Sequence, residues 1–310
     1  MDQDLIARIR NRGVLPSLPQ VTVQVVRLCN EESSSTDEVA HWVGRDPETA
    51  ARLVRTANSA AFGFPRRVET IPHAVRLLGL RMVRDVTLSS AILHRLNQKR
   101  VPGFDYERFW FDSIAGALAA RALGVLAGSK HADQTFLAGL VRDIGVAALA
   151  VADRERYVNL VREAEESGGD LLALEEERLG GNHAEISAAL LQDWGFPTPL
   201  TEGIRRHAHP PDPSPPRDEE GWIAAPLYVA EVAGRVIRRP TEGTVGDFAR
   251  RAAAALGLAA EPLRRSLVYV EENLAEISQA LRLDVGKFGP LRMNRKKIED
   301  LLSAANPGPA

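Results

Sequence analysis

Apolar residues recur at helical spacing along almost the whole chain, and nearly every recurrence is bounded by a residue that starts or stops a helix. Val21, Val25 and Leu28 stand at i, i+4 and i+7 after Pro19. Thr36 or Asp37 caps a short helix presenting Val39, Trp42 and Val43. Asp46-Pro47 is a start signal, an Asp N-cap with Pro at the first helical position. It opens a helix that turns Leu53, Val54 and Ala57 inward and ends near Asn58 and Gly63. Thr70-Ile71-Pro72 opens the next, Gly79 stops it, and a longer pattern runs from Leu80 to Leu96.

The pattern continues after a Pro- and Gly-containing connector at 97–105. An Ala-rich helix is predicted over Tyr106–Ala127, and an apolar one over Asp133–Val151, interrupted at Asp143-Ile144-Gly145. Charged and amphipathic helices follow at 153–167 and Leu171–Leu179, then His183–Trp194 behind Asn182 as cap, then Pro199–His207. Pro210–Glu220 carries five prolines and reads as a loop. Trp222–Arg238, Phe248–Leu256 (begun by Thr244 or Asp247), Pro262–Leu281 and a short Asn294–Ala304 segment are helical, and Asn306–Ala310 reads as a frayed end. No strand alternation competes. The expected fold is therefore all-α.

Composition narrows function by exclusion. The chain has 310 residues, enough to bury a sizeable core, and 45% of them are apolar. Thirty-nine basic residues against 41 acidic ones leave a formal charge of −2. That balance argues against general capture of nucleic acid or of an anionic membrane. On hydropathy alone no apolar run is read as a membrane span, and Met1–Arg12 lacks the apolar stretch of a signal peptide. The single cysteine, Cys29, excludes an internal disulfide and a cysteine-based zinc site, and reads as a core residue. The expected location is cytoplasmic.

Four stretches carry more information in their order than singly: Leu15-Pro16-Ser17-Leu18-Pro19, Arg45-Asp46-Pro47, Ala57-Asn58-Ser59-Ala60-Ala61-Phe62-Gly63, and Ile71-Pro72-His73-Ala74-Val75-Arg76-Leu77-Leu78-Gly79. Phe109-Trp110, the run Phe136–Gly145, the His183 segment and Trp194 follow. In this order the chain resembles the HDOD (HD-related output domain) family over roughly residues 15–210. The resemblance implies an HD-like helical bundle with an N-terminal helical subdomain. On that plan residues 1–100 form the N-terminal half and 101–210 the bundle. Residues 211–220 form a Pro-rich loop, and 221–310 a C-terminal helical extension packed on the bundle.

The resemblance also implies a relationship to the HD metal phosphohydrolases. In those enzymes imidazoles and carboxylates hold one or two ions that activate water against a phosphoester. Matched position by position, the histidine expected after Phe109-Trp110 is Asp112, and the paired His-Asp is Arg142-Asp143. His183 matches a later ligand, and His207 the first of a His-His pair whose second member is Ala208. Glu231 loosely replaces a carboxylate of the next helix. Arg142 is the decisive departure, because a guanidinium has no lone pair for a metal and keeps its charge at any ordinary pH. It is expected to pair with Asp112 or Asp143 in place of the ion.

The leading expectation is thus a protein with no cofactor and no catalytic residue. It would act in bacterial signal transduction by binding signalling proteins in trans, or a ligand. One alternative keeps a reduced phosphohydrolase site with a metal on Asp112, Asp143, His183 and His207. Another is a non-catalytic sensor of a cyclic dinucleotide or other nucleotide second messenger, with Arg142, Arg205 and Arg206 as phosphate contacts. His209 is expected exposed beside Pro210. His41, His73, His94 and His131 are expected to stand singly without a partner.

Overall fold

A computed structural model describes residues 18–31, 33–59, 64, 67–98, 100–211, 216–289 and 292–305. The readings made on Met1–Arg12, Leu15–Ser17, Ala60–Gly63 and Asn306–Ala310 lie outside the described residues. Among those described every regular element is a helix, as the sequence pattern requires.

The N-terminal helices are α1 (Gln20–Asn30), α2 (Thr36–Val43), α3 (Pro47–Asn58) and α4 (Ile71–Gln98). Asp46 caps α3 through the Thr49 amide at 3.0 Å, with Pro47 leading. The cap of α2 is Ser35, which accepts from the Glu38 amide, rather than Thr36 or Asp37. Gly79 stops the first part of this segment, as read: its φ of 73° lies in the left-handed region, and a second helix begins directly after it, so Ile71–Gln98 is two helices meeting at a kink.

The bundle begins with α5 (Tyr106–Leu126), α6 (Ala132–Val141), α7 (Ile144–Ala152), α8 (Arg154–Ser167) and α9 (Leu171–Leu179). It continues with α10 (His183–Asp193), α11 (Thr198–Arg206), α12 (Glu219–Ala230) and α13 (Ala233–Arg238). Three helices close the chain: α14 (Glu242–Leu256), α15 (Ala260–Leu281) and α16 (Arg295–Ala305). The helix expected over Trp222–Arg238 is two helices that break after Ala230. Helix α14 starts earlier than read, because Thr241 and Thr244 form a reciprocal capping box ahead of it.

Helices α5 and α6 pack at the centre through small side chains. A Cβ on Gly139 would lie 2.6 Å from the Ala117 Cα, so only glycine permits that approach. One apolar core runs without interruption from Val25 to Leu302. Helix α15 packs along α5 and also reaches α3, where Arg55 Nε donates to the Ala280 carbonyl at 3.2 Å. Residues of α12 to α16 therefore belong to the same apolar core as the preceding helices.

Two stretches, Tyr106–Leu126 and Ala132–Ala152, do reach the length and hydropathy of a membrane span, which corrects the sequence reading. Their windows are 72% and 89% buried within the protein. They are apolar all round because they are surrounded by other helices.

Candidate functional site: a guanidinium at the floor of the bundle

The interruption between α6 and α7 places two charged residues at the centre of the bundle. Arg142 ends α6 and Asp143 precedes α7. The Arg142 side chain is 2% exposed. It donates from Nε to Asp143 Oδ2 at 3.1 Å and from Nη1 to the Leu227 carbonyl at 3.1 Å. Its Nη2 lies 3.1 Å from Glu231 Oε2, at the end of α12. Room for this group comes from α5, where a Cβ on Gly116 would sit 2.7 Å from Nη2.

Two histidines flank the guanidinium. His183 opens α10, and both its amide (2.8 Å) and its Nδ1 (2.7 Å) meet Glu175 Oε2. Its Nε2 faces Asp143 Oδ1 at 3.5 Å. Tyr157 donates its hydroxyl to the other oxygen of Glu175, so that carboxylate is fully engaged although buried. His207 closes α11. Its Nδ1 meets the Ile204 carbonyl at 2.5 Å, and its Nε2 faces Glu231 Oε2 at 3.6 Å. A carbonyl can only accept, so Nδ1 carries a proton there.

Burial opposes charge on Arg142, Asp143, Glu231 and His183, yet the opposite charges win. Desolvation works against the Arg142 guanidinium, but Asp143 and Glu231 raise its pKa further. Burial would raise the pKa of Asp143 and Glu231, but Arg142 holds both below the usual carboxylate range. Burial also works against a charged His183 ring, and Glu175 and Asp143 outweigh it, pushing its pKa well above the ordinary value.

Of the two partners expected for Arg142, Asp143 is found at this floor and Asp112 is not. Asp112 accepts from Arg238 Nη2 at 2.9 Å and from Arg238 Nε at 3.1 Å. The reason lies in α13: Arg238 ends that helix, and Gly234, one turn earlier, has no side chain where Asp112 packs. Arg238 also donates to Glu165 at 2.8 Å, and Arg108 reaches the same carboxylate at 3.3 Å. Arg205 and Arg206 are likewise not with Arg142. They pair with Glu202 and Asp218 on the outer face of α11. Successive residues at a helix end point about 100° apart, so an inward His207 turns them outward.

The scattered histidines are less solitary than read. His131 meets Gln134 at 2.7 Å and Glu219 at 3.5 Å, and His94 lies 3.7 Å from Glu48. His209 is exposed, as expected. Cys29 is half-buried against the core, and desolvation pushes its thiol up to about 11.

The HDOD domain family matches residues 15–210, well over half of the chain. The chain belongs to that family. An uncharacterized protein of Treponema pallidum is 25% identical over 202 residues, covering 64% of this chain and 38% of that protein. The chain thus spans about two fifths of the length of that curated relative. A candidate phosphohydrolase of Shewanella amazonensis has the same fold, with TM-score 0.62 and 24% identity over 97% of this chain and 98% of its own. So does an HDOD domain protein of Geobacter sulfurreducens, with TM-score 0.58 and 20% identity over 97% of each chain.

A solved structure of the same fold from Shewanella amazonensis is named as a candidate metal-dependent phosphohydrolase, with TM-score 0.56 and 22% identity over 87% of this chain and 96% of its own. A two-ion centre does not fit, because Arg142 fills the position of a ligand and takes up Asp143 and Glu231. For one ion, Asp143, His183 and His207 bring donor atoms within 4.8 Å of one another. Asp112, included in the expected set, is not among them. The inward atoms Asp143 Oδ1, His183 Nε2, His207 Nε2 and Glu231 Oε2 make no hydrogen bond among the described residues.

Sequence reading missed Glu175, Arg238 and Gly116. Arg238 had a signal available: Glu231, Arg235 and Arg238 stand at i, i+4 and i+7, a spacing that groups residues on one side of a helical segment.

Proposed function

We propose that this HDOD chain is a non-catalytic signalling module that acts by binding signalling proteins in trans or a small ligand. The observation that carries the reading is Arg142. It is a permanent cation, buried to 2% exposure, hydrogen-bonded to Asp143 and the Leu227 carbonyl and ion-paired with Glu231. A fixed guanidinium offsets part of the acidic charge of the floor, and it has no open coordination position at which to activate water. The bundle keeps the shape of a hydrolase site and loses the chemistry.

Above the floor lies a cavity of roughly 110 Å3. Sites for drug-sized ligands run from about 300 Å3 upward. That size favours a small ligand over a cyclic dinucleotide.

The test is turnover. With manganese or zinc added, bis(p-nitrophenyl) phosphate and p-nitrophenyl phosphate are expected to be hydrolysed no faster than by His183→Ala protein. Metal-dependent turnover that disappears in His183→Ala contradicts the reading.

A second reading is favoured by one observation, the four inward atoms left without hydrogen bonds. Asp143, His183 and His207 would then hold one divalent cation beside Arg142. That ion would supply Lewis-acid chemistry at the floor.

A further inference from the structure

The rim of the cavity is built differently from its floor. Three arginines reach it: Arg108 from α5, and Arg235 and Arg238 from α13. They converge on one carboxylate, Glu165 of α8, which feels the charge of all three. Asp112 neutralises Arg238 as well. Three guanidinium groups therefore face two carboxylates. The unmatched one is Arg235, which donates from Nη1 to the Gly169 carbonyl at 3.2 Å and pairs with no carboxylate among the described residues. That bond fixes the guanidinium at the edge of the cavity and leaves its other donors available. The wall beside it is apolar, lined by Phe104, Phe109, Val161 and Leu171.

We propose that this rim is a binding site for a small organic oxyanion, a carboxylate or phosphate head on Arg235 and Arg108 with an apolar body against Phe104, Phe109 and Leu171. A planar fork of donors matches a two-oxygen head, and the bond to Gly169 lowers the ordering cost of presenting it. The floor behind the rim carries Asp143, Glu175 and Glu231 against Arg142 and a charged His183, a net negative charge that repels an anionic head. The head therefore stays at the mouth while the body fills the cavity. The inference deepens the small-ligand part of the regulatory reading and rests on it.

The experiment is isothermal titration of phenyl phosphate and of benzoate into wild-type, Arg235→Ala, Arg235→Lys and Arg205→Ala proteins. Each sample is checked for folding by thermal melting and for metal content. At least one probe is expected to bind wild-type protein without metal. The better binder tells phosphate from carboxylate as the preferred head. Arg235→Ala is expected to weaken binding about tenfold, the worth of one charge-assisted bond. Arg235→Lys recovers part of the loss, because it keeps the charge and loses the fork. Arg205→Ala, on the outer face, leaves affinity unchanged. Absence of heat at millimolar ligand, or affinity indifferent to Arg235→Ala in folded protein, overturns the inference and leaves the non-catalytic reading standing. Binding that requires one ion per chain and vanishes in His183→Ala overturns both.

Discussion

Two arginines in this bundle have the same chemistry and different surroundings. Arg142 bridges Asp143 and Glu231 at the floor, and Arg238 bridges Asp112 and Glu165 at the rim. The floor arginine is 2% exposed and its partners 13% and 18%. The rim arginine is 11% exposed and its partners 31% and 39%. Water reaches the second set and hardly reaches the first. Coulomb attraction is strong where solvent is excluded, and so is the penalty for leaving one charge unmatched. The floor set is therefore a fixed structural charge, whereas the rim set can exchange partners at modest cost.

Removing each arginine in turn sharpens that contrast. The largest effect is expected from Arg142→Ala, which strands two buried carboxylates and should cost about 3–5 kcal/mol of unfolding free energy. Arg238→Ala exposes its partners to solvent and should cost about 1–2 kcal/mol, falling as salt is added. Arg205→Ala, whose partner Glu202 is a third exposed, should stay within about 0.5 kcal/mol. Urea denaturation of the three variants measures the order. Equal losses from Arg142→Ala and Arg238→Ala would break the distinction between floor and rim.

The same contrast explains what the sequence disclosed. Asp46 and Asn182 were readable as caps because a cap bonds an amide only three residues away. The departure at Arg142 was readable because a guanidinium cannot be a metal ligand in any fold. Its partners were only half readable. Asp143 is the next residue, and Glu231 entered only as a loose match. Of the two partners offered for Arg142, Asp143 is the one it takes; the partner of Asp112 lies 126 residues away on a helix whose start at Ala233 follows a break. Glu175 stands in a run of three glutamates, Glu175-Glu176-Glu177, and only tertiary packing decides which of them is buried. The two apolar stretches read as ordinary core were long enough for a membrane, and burial, not composition, accounts for them.

The direct test of the central claim is the metal content of purified protein after incubation with manganese or zinc and removal of free ion. With Arg142 acting as the floor's cation, the wild-type chain retains no divalent ion. One ion retained per chain, lost in His183→Ala, would contradict the account.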